Sequence, residues 1–97
     1  MKKVFRATCD GHQIVVENKW FTGEKLYVNG ELQDENVGLA FSRATLTGKL
    51  IMDHSEMKDI KVTVGGNLRV HCRVFVDNEL IPSYKIKKMS YKQMVKS

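Results

Sequence analysis

Leu68-Arg69-Val70-His71-Cys72-Arg73-Val74-Phe75-Val76 is the stretch on which the fold turns. Leu68, Val70, Cys72, Val74 and Val76 share one side of an extended chain, and Arg69, His71, Arg73 and Phe75 share the other. Period two over these nine residues marks a strand, because a helix cannot gather such positions into one apolar stripe. Ile60-Lys61-Val62-Thr63-Val64 alternates the same way, and Gly65-Gly66-Asn67 between the two runs predicts a hairpin.

The pattern continues outward. Lys3 to Cys9, His12 to Glu17 and Lys25 to Asn29 are β-rich. Asp10-Gly11, Asn29-Gly30 and Asp77-Asn78 supply residues that tolerate the positive φ of tight hairpin turns. Residues 39–46 and 49–52 flank Thr47-Gly48 and are read as a further strand pair, with Arg43 interrupting the first. The polar run Asp53 to Asp59 reads as a loop or a single helical turn. Tyr84 to Met89 alternates and can form an edge strand guarded by lysine, and Tyr91 to Lys96 a short C-terminal helix.

An internal repeat stands at an offset of 48, where KLYVNGELQ (25–33) aligns with RVFVDNELI (73–81). Val28 and Val76, Glu31 and Glu79, and Leu32 and Leu80 are identical pairs. Extended backward without gaps, the register sets Ile14 on Val62 and Val16 on Val64. A true duplication and two hairpins that merely share a turn type both fit this alignment. Either way the expected fold is all-β, a two-sheet antiparallel β-sandwich of about seven to eight strands whose apolar faces meet in one core. The boundaries are a single β domain over 1–84 and a basic tail over 85–97.

Composition agrees with an ordinary globular domain. The 97 residues are 42% hydrophobic and 28% charged, which excludes a collagen, a coiled-coil rod or a fully disordered chain. The net charge of +5 is unevenly placed. Residues 1–84 balance 11 basic against 11 acidic residues, and the excess is Lys85, Lys87, Lys88, Lys92 and Lys96. The high isoelectric point therefore describes the tail and says nothing of the body. Two cysteines, Cys9 and Cys72, are too few for a disulfide framework and are expected to be buried reduced thiols. With neither a signal-peptide pattern nor an apolar run that could span a bilayer, the expected compartment is the cytoplasm.

Two segments resemble the Fas apoptotic inhibitory molecule family. The first is His12-Gln13-Ile14-Val15-Val16-Glu17 followed by Thr22-Gly23-Glu24-Lys25-Leu26-Tyr27-Val28-Asn29-Gly30. There an H-x-I-x-x-E strand leads through a glycine-containing loop to a strand ending in V-N-G. The second is Cys72-Arg73-Val74-Phe75-Val76-Asp77-Asn78-Glu79-Leu80-Ile81-Pro82, similar to that family's closing strand. The match covers about a third of the chain, and residues 34–60 do not share it. The resemblance implies a compact eight-stranded β-sandwich without catalytic activity that acts through protein contacts.

Chemistry-bearing motifs are sparse. Neither a G-x-S-x-G, an H-E-x-x-H, a P-loop nor a dinucleotide fingerprint occurs, so an enzyme is not expected. Cys9, His12, His71 and Cys72 are zinc-type ligands, but adjacent His71 and Cys72 point to opposite faces of one strand, so neither a metal nor any cofactor is expected. The same geometry denies them a nucleophile–base role. The binding candidates are Trp20 and Phe21 in a loop, Arg69, Arg73 and Phe75 on one strand face, and Lys85, Lys87 and Lys88 in the tail.

The primary expectation is a non-catalytic binding or scaffold module working through a protein partner or self-association. The alternative is a nucleic-acid-binding β domain using Arg69, Arg73, Phe75 and the tail, whose five lysines give a salt slope of about −4 to −5. A small-ligand or carbohydrate site at Trp20 and Phe21 is the third.

Overall fold

The computed structural model describes residues 2–19, 23–37, 44–52, 56–65 and 71–86. Within them the chain is all-β. The strands are β1 (Lys2–Cys9), β2 (His12–Lys19), β3 (Gly23–Val28), β4 (Glu31–Val37), β5 (Ala44–Ile51), β6 (Met57–Gly65), β7 (His71–Val76), β8 (Glu79–Ile81) and β9 (Tyr84–Ile86). They form two antiparallel sheets, β4-β3-β2-β1-β9 and β5-β6-β7-β8. Trp20, Phe21, Arg69, Lys87, Lys88 and the helix expected over 91–96 lie outside the described residues.

Alternation decides which side chains meet. Phe5 and Ala7 of β1, Ile14 and Val16 of β2, and Leu26 and Val28 of β3 face Leu46, Leu50, Ile60, Val62, Val64, Val74 and Val76 of the other sheet in one core. At roughly 1.5–3 kcal/mol for each fully buried aliphatic side chain, this layer is the main stabilising contribution. A smaller cluster, Val4 and Val15 with Tyr27 and Ile86, lies on the opposite face of the five-stranded sheet.

The sheets are joined along one seam by side chains. The register of β3 with β4 shifts between Leu26 and Tyr27, leaving Gln33 unpaired. There the Asp34 carboxylate accepts the Thr47 N–H at 2.9 Å and Gln33 Oε1 accepts the Lys49 N–H at 3.4 Å. The outward N–H groups of Thr47 and Lys49 in the middle of β5 are thereby satisfied, which blunts this edge as a template for edge-to-edge aggregation. At the other seam the chain crosses from β8 to β9 through Pro82 and Ser83, and β9 ends the five-stranded sheet beside β1 with Lys85 on it. This is the lysine-guarded edge expected from the sequence.

Three expectations are corrected. Thr47-Gly48 is not a turn, because β5 runs through it from Ala44 to Ile51. Gly48 marks a close approach instead: a Cβ there would sit 3.2 Å from Gln33 Cβ and 3.3 Å from Leu26 Cδ2, so both side chains would have to give by a few tenths of an ångström. Met57 to Asp59 belongs to β6, paired with Ile51 to Lys49 of β5, and is neither loop nor helical turn. Cys9 and Cys72 are free thiols, as expected, but only partly buried, since each sits where its strand outruns a neighbour.

The 48-residue repeat has a structural counterpart over β3–β4 and β7–β8, but the gapless extension that sets Ile14 on Val62 does not hold: Ile14 stands opposite Val28 and Ile60 opposite Val76, so the preceding strands correspond at an offset of 46. Gly23–Val28 plus 48 is His71–Val76, so β3 and β7 coincide, and β4 and β8 begin at equivalent positions. The turns match in detail. The Asn29 N–H donates to the Gln13 carbonyl at 2.8 Å, and Asn29 Oδ1 accepts the Gln13 N–H at 2.9 Å. The Asp77 N–H donates to the Asp59 carbonyl at 2.8 Å, and Asp77 Oδ1 accepts the Asp59 N–H at 2.8 Å. All four turn residues have positive φ: 50° and 87° at Asn29-Gly30, 49° and 66° at Asp77-Asn78. A shared turn type requires only the φ values; the repeated two-way clamp is a further likeness in tertiary contacts.

Candidate binding face on the four-stranded sheet

The outer face of the four-stranded sheet is built by the residues that alternate with the core. On β6 these are Asp59, Lys61, Thr63 and Gly65, and on β7 they are His71, Arg73 and Phe75. The pairing sets Lys61 opposite Phe75, Thr63 opposite Arg73 and Gly65 opposite His71. On the far side of Phe75 stands Leu80 of β8, 58% exposed. Thr45 and Thr47 of β5 flank Thr63 and Lys61. A shallow depression of about 550 Å³ lies over this surface, lined among others by Lys61, Thr63, Gly65, His71, Arg73 and Phe75. Its floor is low beside His71 because Gly65 offers no side chain.

The electrostatics of the face are one-sided. Its carboxylates stand at the turn end and are engaged: Asp59 pairs with Lys49, and Asp77 accepts the Asp59 N–H. Among the described residues Lys61 and Arg73 make no ion pair. Phe75 is half-buried, so its ring packs on one side and remains available on the other.

Of the residues singled out from sequence, Arg73 and Phe75 come together here. Lys85 does not join them, because it lies on β9 of the other sheet, across from Phe5. Lys61, Thr63 and Gly65 complete the face and were not singled out. The parity of Ile60-Lys61-Val62-Thr63-Val64 already turns Lys61 and Thr63 outward, but only the strand register sets them beside Phe75 and Arg73.

His71 is exposed while Cys72, its neighbour, turns toward the core. Burial pushes the Cys72 thiol up to about 12, so it stays protonated at neutral pH and is a poor nucleophile. The His12 ring is engaged with the Asn29 amide at 2.9 Å. Among the described residues, no group of three or more His, Cys, Asp or Glu is placed to hold a metal ion. No helix among them is long and apolar enough to cross a membrane.

A second polar group sits inside the sandwich. Glu24, 1% exposed, accepts hydrogen bonds from Asn18 Nδ2 at 3.3 Å and Asn36 Nδ2 at 3.0 Å. The buried Asn18 Oδ1 has no hydrogen-bond partner. Parity again supplies the signal, since Asn18 continues the inward series of Ile14 and Val16, and Glu24 that of Leu26 and Val28. Glu24 and Asn18 are buried and Asn36 caps them from the exposed edge strand β4, so the group supplies structural polarity in place of an open site.

The chain matches no protein-family model, no curated protein and no solved structure among known proteins.

Proposed function

We propose that this chain is a non-catalytic binding module that works through protein contacts. One observation carries the reading: Lys61 and Arg73 are held beside Phe75 on an outward sheet face with no carboxylate paired to them among the described residues. Such a face has charge to offer and an apolar anchor beside it, which are the ingredients of a protein contact centre. The resemblance to the Fas apoptotic inhibitory molecule family supports the same reading, as does the protonated, inward Cys72. A reducing cytoplasm suits a chain whose two cysteines are free. Affinity capture on the immobilised chain, compared with a Lys61→Glu, Arg73→Glu double variant of unchanged circular dichroism, tests the proposal. Partners lost with the double variant support it, and substrate turnover abolished by a single side-chain replacement would end it.

A second reading, single-stranded nucleic acid, is favoured by Phe75 standing between two cations. Fluorescence anisotropy with labelled oligonucleotides across a salt series tests it. Binding that is lost with Arg73→Glu and weakens steeply with salt would carry it.

A further inference from the structure

We propose that the outer face of the four-stranded sheet takes an extended acidic segment of a partner protein, with carboxylates two positions apart on Arg73 and Lys61 and an apolar side chain on Phe75. The inference rests on the protein-contact reading and adds the chemistry of the partner.

Register supplies the spacing. Arg73 opposes Thr63 and Lys61 opposes Phe75, so the two cations are diagonal neighbours on adjacent strands. Diagonal positions stand about 7–8 Å apart. An extended chain presents side chains i and i+2 on one face about 6.5–7 Å apart. A segment lying along the groove between β6 and β7 can therefore set one carboxylate on each cation. The depression over Gly65 leaves room for its backbone beside His71, whose ring is exposed. At the other end Phe75 and Leu80 form an apolar step for the residue that follows.

Charge complementarity selects an acidic occupant. Lys61 and Arg73 have no acidic partner among the described residues, and the described carboxylates of this face are engaged at the turn end, where Asp59 pairs with Lys49. A nucleic-acid strand is less well served, because stacking platforms present successive rings. Among the described residues this face has two rings, the half-buried Phe75 and the exposed His71, and Arg73 stands between them on the strand, so they do not follow one another as a stack. Among the described residues, a second copy of the chain has no matching acidic row on the outer face of its other sheet, where Glu17 and Glu35 both stand opposite Lys25.

The test uses a labelled peptide of alternating glutamate and valine, a block-ordered peptide of the same composition, and a single-stranded oligothymidine. Binding is read by anisotropy at about 50 mM salt and by amide shifts of the full chain. The expected result is saturable binding of the alternating peptide, at least roughly tenfold tighter than the block-ordered one. Shifts gather at Thr63, Gly65, His71, Arg73 and Phe75. Arg73→Glu with Lys61→Glu abolishes the binding, and Thr63→Glu, which removes neither cation, weakens it by about tenfold.

Absence of saturation, equal binding of both peptides, or shifts confined to the five-stranded sheet would overturn the inference. Oligothymidine binding at these residues with the peptide silent overturns it together with the protein-contact reading. Partner capture that survives the double variant, with the peptide silent, overturns this inference alone.

Discussion

The two sheets carry the same outward motif and treat it differently. Lys25, Tyr27 and Leu32 on the five-stranded sheet stand 48 residues before Arg73, Phe75 and Leu80 on the four-stranded one. Tyr27 pairs across to Leu32 and Phe75 to Leu80 in equivalent registers. Their other neighbours diverge. Lys25 stands opposite Glu17, and Tyr27 opposite Val15, which is 2% exposed. Arg73 stands opposite Thr63, and Phe75 opposite Lys61. One copy of the motif is neutralised and packed into a small apolar cluster; the other is left charged and open. A repeated frame thus yields a structural face and an available one through the identity of the residues on the strands around it. Breaking equivalent positions in pairs shows how far the equivalence reaches.

Gly23 and its counterpart His71 form the most unequal pair. Gly23 has φ of +105°, and a Cβ there would lie 1.8 Å from the Asn36 carbonyl oxygen, a backbone atom that cannot yield. Gly23→Ala is expected to cost roughly 4 kcal/mol or more, combining positive-φ strain with a forced shift of β4. His71 is exposed at the end of β7, and His71→Ala is expected to stay within about 0.5 kcal/mol. Urea denaturation of the two variants checks both. Similar costs would show that the β3 and β7 starts are under the same constraint after all.

Glu24 and Cys72 come next. Glu24→Ala removes the acceptor for the buried Asn18 amide and for the amide of exposed Asn36, and a loss of roughly 2–4 kcal/mol is expected. Cys72→Ala removes one partly buried sulfur and should cost about 1 kcal/mol. The thiol also gives a pH signature. Its ordinary value is 9.0 and its folded value about 12, so the folded state holds the proton longer. Its contribution is constant below pH 9 and is lost as pH rises from 9 toward 12. The difference in unfolding free energy between the wild type and Cys72→Ala should shrink across that window. A difference that stays flat would show the thiol to be solvated.

How much of this was legible follows from what alternation encodes. Parity along Ile60 to Val64 and Leu68 to Val76 assigns inside and outside, and the paired-layer architecture follows from it. Parity does not encode close approach. Thr47-Gly48 looks like a turn because glycine usually marks one, whereas here the missing side chain makes space for Leu26 and Gln33 across the seam. Met57 to Asp59 looks like a loop because it closes a run of mostly polar and charged residues, yet β5 pairs with it along its length. The candidate face was half legible. Arg73 and Phe75 share a strand, so parity groups them. Lys61 joins them only through the β6–β7 register, which the three-residue break in the alternation at Gly65 to Asn67 does not fix.

The turn clamps test the repeat itself. Asn29→Ala and Asp77→Ala each lose a side-chain acceptor for a strand N–H and place alanine at positive φ. Each should cost about 1–2 kcal/mol. If the two turns are structural equivalents, the losses agree within about 0.5 kcal/mol, close to the limit of such measurements. Asn29 also donates to His12, so a modestly larger loss at Asn29 is the expected direction of any difference.

The smallest effect bears on the comparison most directly. Thr63→Glu puts a carboxylate opposite Arg73, copying the placement of Glu17 opposite Lys25. On an exposed sheet face such a cross-strand pair is expected to add no more than about 0.5 kcal/mol. The reverse change, Glu17→Thr, should cost more than this, because Glu17 is largely buried and its loss leaves Lys25 with Glu35 alone of its two cross-strand acids. The asymmetry between the two substitutions measures what distinguishes the faces: charge balance is part of the packing on one and is absent by composition on the other. If Thr63→Glu stabilised the chain as much as Glu17→Thr destabilised it, the open face would be an unfinished version of the closed one. A near-neutral Thr63→Glu would instead mean that the unpaired cations carry little folding energy, so that neutralising them changes what the surface can bind and leaves the sandwich as it is.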